Sequence, residues 1–104
     1  MIVLQVDGFD WDRGNRSKCQ THGVSITEIE EVFASEPRVA PDLKHSQDED
    51  RMIAIGRTGQ GRYLFVAFTL RTKERQHLIR PIAARYMHGK EAAAYEKYEE
   101  EEGA

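Results

Sequence analysis

The sequence predicts an α+β domain: an N-terminal strand, two helices, an antiparallel meander of three or four strands, and a closing C-terminal helix. Three observations predict it. Ser25-Ile26-Thr27-Glu28 is a capping box that opens an amphipathic helical pattern. Residues 51–57 and 62–70 are alternating apolar segments separated by a turn, and residues 90–102 are rich in alanine and glutamate.

In chain order, residues 1–6 are apolar and β-branched and read as a short strand. Asp7-Gly8 predicts a turn, after which Phe9-Asp10-Trp11 extends again by alternation. Asp12 is placed to cap a helix over residues 13–21, which His22-Gly23 would end with glycine in the left-handed position. Gly14 weakens that helix by about 1 kcal/mol relative to alanine. Val24 and Ile29 flank the capping box as a hydrophobic staple, and Ile26, Ile29, Val32 and Phe33 share one helical face until Pro37 stops it. Residues 38–43 form a weak strand because of Pro41. The strong strands 51–57 and 62–70 follow, joined by Thr58-Gly59-Gln60-Gly61. A polar turn over 72–76 leads into a third strand over 77–85. Pro81 removes a ladder donor there, so that strand needs an edge position or a bulge. In the last helix Tyr95 and Tyr98 share a face, and its acidic end opposes the helix dipole, which predicts a frayed final turn. The helices are expected on one side of a curved sheet, with arginines projecting from the other.

A chain of 104 residues, 39% apolar and 32% charged, fits one domain spanning 1–104. The longest apolar run, Tyr63 to Phe68, is far short of the roughly 20 residues that cross a bilayer. Met1-Ile2-Val3-Leu4 has neither a basic flank nor a small-residue cleavage site, so no secretory leader is expected. The single cysteine, Cys19, excludes an internal disulfide framework and suits a reducing, cytoplasmic setting. Transmembrane, collagenous, repeat and disulfide-knot classes are excluded.

The net charge of −3 hides a segregation. Residues 1–50 carry five basic and eleven acidic side chains, residues 51–90 nine basic and one acidic (Glu74), and residues 91–104 one basic and six acidic. Seven of the nine central cations are arginine, whose planar fork of donors suits bidentate phosphate contact. Such a field attracts polyanions. The competing reading is that the acidic flanks fold back and neutralise it.

Phe9-Asp10-Trp11-Asp12, His22-Gly23-Val24-Ser25, Val32-Phe33, Asp42, Glu49-Asp50-Arg51, Ile55-Gly56, Gly61-Arg62, Phe68-Thr69 with Arg71, and Ile79-Arg80 followed by Ala84-Arg85 occur in an order and spacing that resembles the BrnT family of bacterial toxins. The resemblance runs from about residue 9 to residue 98. It implies a RelE-like fold and an endoribonuclease that inhibits translation. It also implies a cognate BrnA-like antitoxin with a ribbon-helix-helix domain, through which alone the pair would contact DNA to repress its own operon. Thr21 and Ala83 stand where family members commonly carry lysine and serine.

RNA can be cleaved without a metal, because its own 2′-hydroxyl attacks the adjacent phosphorus. The protein must then align the attack, stabilise the phosphorane and manage two protons. Arg71, Arg80 and Arg85, on the last two predicted strands, are the candidates for phosphate binding and transition-state stabilisation. Arg80 and Arg85 differ in parity, so both serve one site only if Pro81 introduces a bulge or the strand ends early. Among the histidines, His22 leads as a proton carrier, with a helix-capping role as its alternative, while His45, His77 and His88 read as surface residues. Lys18, Trp11 and Tyr86 are candidate substrate-binding residues: a cation and two rings able to stack on a base or ribose, although a lone tryptophan beside a first strand is more often core and Tyr86 carries the same ambiguity. No metal site or cofactor is expected, since Cys19 and His22 lack a second ligand pair and Gly56 to Gly61 lacks the lysine and helix of a phosphate-binding loop. The predicted partners are RNA and the antitoxin, with no membrane. The alternative function is a non-catalytic antitoxin- or nucleic-acid-binding module acting in an autorepressor complex.

Overall fold

The structure is a computed structural model that describes residues 5–44 and 50–103. Its elements are β1 (Gly8–Phe9), α1 (Arg13–Cys19), α2 (Ile26–Ala34), β2 (Arg38–Pro41), β3 (Met52–Arg57), β4 (Tyr63–Lys73), β5 (Gln76–Tyr86) and α3 (Gly89–Gly103). The strands form a mixed sheet of order β1-β5-β4-β3-β2, in which β2 to β5 are the expected antiparallel meander and β1 joins β5 in parallel. The α+β expectation holds. No helix of the described residues is long and apolar enough to cross a membrane.

The first strand differs from expectation. Gln5 and Val6 lie outside the ladder, pairing begins at Gly8, and residues 1–4 fall outside the described residues. Asp7-Gly8 is therefore no turn. The Asp7 N–H donates to the His77 carbonyl at 2.7 Å, and the Asp7 carboxylate accepts the His77 N–H at 2.7 Å, which locks the entry to the parallel pair. With β1 on one side and β4 on the other, β5 is an internal strand. The bulge is what accommodates Pro81: the register steps from Ala67↔Ala83 to Phe68↔Pro81 and leaves Ile82 unpaired.

Both helix starts use the predicted caps. Asp12 accepts from the Asn15 N–H while the Asn15 side chain accepts from the Asp12 N–H, and Ser25 and Glu28 do the same for α2. Helix α1 stops at Cys19, shorter than expected, and Gly23 takes its left-handed conformation (φ 86°) a few residues later. Helix α3 runs to Gly103 despite its acidic end.

One face of the sheet carries Ala54, Leu64, Val66, Phe68 and Ile79, all buried against Cys19 of α1, Val24, and Ile29 and Val32 of α2. Gly56 is required there: a Cβ would sit 3.0 Å from Val32 Cγ1 and 3.2 Å from Pro37 Cβ, so α2 closes onto the bare backbone of β3. Phe33 meets Phe68 edge-on at 5.0 Å and Phe9 at 5.7 Å. The expectation that all helices share one side fails for α3. Its Tyr95 packs edge-on against Tyr63 at 5.4 Å, and Tyr63 pairs with Arg57 on the opposite, arginine-bearing face. An acidic, tyrosine-bearing helix has too little apolar surface to join the core, but it complements arginines well.

Candidate functional site

The sheet register determines which arginines share a face. On β4, Phe65, Thr69 and Arg71 alternate to the side away from α1 and α2, and their cross-strand partners are Arg85, Arg80 and Leu78. Without the bulge, Arg80 and Arg85 would point to opposite sides. The extra residue Ile82 restores parity, so Arg71, Arg80 and Arg85 all emerge on the open face. Arg71 and Arg80 are diagonal neighbours, roughly 7–8 Å apart at this geometry. Arg85 lies four β4 positions from Arg80, about 13 Å along the strand.

Each of the two β5 arginines has carboxylate partners. Arg80 Nη2 lies 2.9 Å from Asp12 Oδ2 and its Nη1 3.5 Å from Asp10 Oδ2, and Lys73 Nζ donates to Asp10 Oδ1 at 3.0 Å. Asp10 is buried, and its position is fixed through its carbonyl, which accepts from Asn15 Nδ2 at 3.0 Å. The same Asn15 amide donates to the Pro81 carbonyl at 2.9 Å, so a single buried side chain ties the α1 cap to the bulge. The Asn15 N–H and the Arg80 guanidinium hold the Asp12 carboxyl below the usual range. Arg85 makes a two-pronged contact with Glu91, at 2.9 and 3.1 Å, and lies 4.4 Å over the Phe65 ring. This contact pulls Glu91 from an ordinary 4.5 to about 2 and raises Arg85 further. Arg71 is exposed and lines a shallow recess of about 520 Å³ with Asp50, Met52, Thr69 and Leu70.

The remaining sequence candidates gather elsewhere. Tyr86 points to the helix side, opposite Leu64. Its hydroxyl donates to Glu28 Oε1 at 2.7 Å and approaches the Gly23 carbonyl at 3.4 Å, and Arg62 stacks 3.5 Å over its ring. That hydrogen bond raises the Tyr86 hydroxyl pKa. On Glu28, burial pulls upward, but the Tyr86 and Ser25 hydrogen bonds outweigh it and keep the carboxyl low. His22 is exposed beside this cluster, in the turn after α1, and Lys18 is exposed on α1. Trp11 donates from Nε1 to Glu30 at 3.0 Å, stacks with Phe9 at 6.4 Å and carries the Arg16 guanidinium 5.7 Å from its ring centre. Its ring is engaged within the fold. The structure thus brings Arg71, Arg80 and Arg85 to one face, sets His22, Lys18 and Tyr86 toward the helical side, and ties Trp11 to the core margin. His45 lies outside the described residues.

The sequence reading missed the acidic partners. Asp10 stood in the quoted motif without a role, Asp12 read only as a helix cap, and Glu91 carried no signal. Glu28 was legible as a cap, but its second use with Tyr86 depends on a contact 58 residues away.

Comparison with curated proteins finds no match. A family model described as "Ribonuclease toxin, BrnT, of type II toxin-antitoxin system" matches residues 11–91, which takes in α1, α2, β2 to β5 and the start of α3. A family so defined implies an antitoxin partner. With most of the chain inside that match, including all three open-face arginines, the protein belongs to the BrnT family of ribonuclease toxins of type II toxin-antitoxin systems.

Proposed function

We propose that this chain is a metal-independent endoribonuclease that cleaves RNA by attack of the 2′-hydroxyl and thereby inhibits translation. It would act in the cytoplasm under the control of a BrnA-like ribbon-helix-helix antitoxin. The observation that carries this reading is the bulge at Ile82, which turns Arg71, Arg80 and Arg85 to one open face in a chain of a ribonuclease family. Arg71 and Arg80 are close enough to share one phosphate. Guanidinium forks aimed at the non-bridging oxygens would stabilise the charge that builds on the phosphorane. His22, Lys18 and Tyr86, which face the helical side, would reach RNA only where it passes around the end of β5. RNA bears its own nucleophile, so positioning and charge stabilisation supply most of what the step needs.

The test is incubation of the purified chain with single-stranded RNA. The expected products carry 2′,3′-cyclic phosphates, and Arg80→Ala or Arg85→Ala should each lower the rate about 100-fold or more. Intact RNA in the presence of folded protein would overturn the reading. The second reading, a non-catalytic module within an autorepressor complex, is favoured by the carboxylates bound to Arg80 and Arg85. In that case RNA is bound, with steep salt dependence, and stays whole.

A further inference from the structure

The open face holds a second cationic strip that α3 occupies. Arg38 of β2, Arg57 of β3 and Arg85 of β5 emerge around Ile55, Tyr63 and Phe65. Arg57 stacks 4.6 Å over Tyr63 and Arg85 4.4 Å over Phe65. Helix α3 lies across this strip and presents a carboxylate to each arginine: Glu91 to Arg85 at 2.9 Å, Glu96 to Arg57 at 3.8 Å and Glu99 to Arg38 at 3.9 Å. A cleft of about 510 Å³ opens beside it, lined in part by Pro37, Arg38, Arg57, Tyr63 and Glu99. Guanidinium groups interleaved with aromatic rings along a groove are the recognition chemistry of single-stranded nucleic acid.

We propose that this strip is a binding groove for single-stranded RNA, and that α3 is an intramolecular polyanion that RNA displaces to enter it. The proposal rests on the ribonuclease reading for the identity of the polyanion, but it concerns binding and not cleavage. The helix is attached in a way that permits displacement. Among the described residues, the buried apolar core includes no residue of α3. Two of the ion pairs, Arg57–Glu96 and Arg38–Glu99, are long and largely exposed, a class that contributes little each and is screened by salt, while the two-pronged Arg85–Glu91 pair is part-buried and anchors the start of the helix. The Tyr95 hydroxyl is buried under the helix without a hydrogen-bond partner, a defect that undocking relieves. Glu99 to Glu102 crowd the helix C-terminus, where negative charge is least favourable.

The test uses the full chain and a short 2′-O-methyl oligouridylate, which lacks the free hydroxyl needed for self-cleavage and so reads binding alone. The triple variant E91Q/E96Q/E99Q should bind it about tenfold more tightly than the unaltered chain. The variant E100Q/E101Q/E102Q removes the same charge from residues that pair with no strip arginine, and it should gain less than about threefold. In the unaltered chain, adding the oligonucleotide should speed amide exchange in α3 and leave β4 and β5 protected. Equal gains for the two variants, or unchanged α3 exchange on saturation, would overturn the groove. Tighter binding by the first variant without cleavage of ordinary RNA would sink the enzyme reading while leaving the groove standing.

Discussion

The two faces of one sheet are closed by different physics. Against α1 and α2 the contact is apolar and dense, with Phe68, Leu64, Val66, Ile29 and Val32 fully buried. Against α3 the contact is a row of arginine–glutamate pairs, half-buried at Arg85–Glu91 and more exposed beyond, with a few tyrosines. Both faces come from the same strands, alternating residue by residue. The helical face therefore holds the fold together, and the open face is free to exchange partners.

The largest effect is expected at Phe68, at the centre of the apolar face. Phe68→Ala removes the ring that Phe33 packs on and should cost about 3–5 kcal/mol in urea unfolding. A loss below about 1 kcal/mol would mean the helical face does not carry the stability. Next comes Asn15→Ala, which strands the carbonyls of Asp10 and Pro81 and removes half of a capping box. A destabilisation of about 2–3 kcal/mol is expected. Because Asn15 positions the bulge, the same variant should also disturb the pairing of Arg80 with Asp12, which is visible in the arginine side-chain NMR signals.

The open face responds to pH instead. Glu91 has its pKa depressed in the folded state, from 4.5 to about 2, first by the Arg85 hydrogen bonds. Its contribution is thus complete above pH 4.5 and is lost as pH falls from there toward 2. Amide exchange in α3 should accelerate over that window, ahead of the core strands, and Glu91→Gln should show the faster α3 exchange already at pH 7 and flatten its dependence between pH 4.5 and 2. The smallest effect sharpens the contrast from the other side. Burial raises the Cys19 thiol to about 11, so alkylation at pH 8 should be negligible in the native chain and rapid in denaturant.

Much of this molecule was legible in the residue order. The Asp12 cap and the Ser25–Glu28 capping box involve partners three residues apart, and the strands of the meander follow from alternation and glycine turns, all local signals. Pro81 called for an edge position or a bulge because proline lacks the donor that a central ladder needs, and with β5 internal the structure takes the bulge. The placement of α3 was not legible, since alanine- and glutamate-rich helices form equally well on either side of a sheet. Nor were the partners of Arg80 and Arg85.

The amino-acid order alone determined the α+β class, the helix boundaries to within a turn, and a parity conflict between Arg80 and Arg85 that a bulge or an early strand end could resolve. These depend on short-range periodicity and on donors that a residue type has or lacks. Only the folded chain decided that β1 would pair in parallel with β5, that the acidic segments would return to neutralise the central arginines, and that α3 would lie over them. Those outcomes depend on contacts between residues tens of positions apart, where charge and apolar area specify that a partner is needed and three-dimensional packing selects which one.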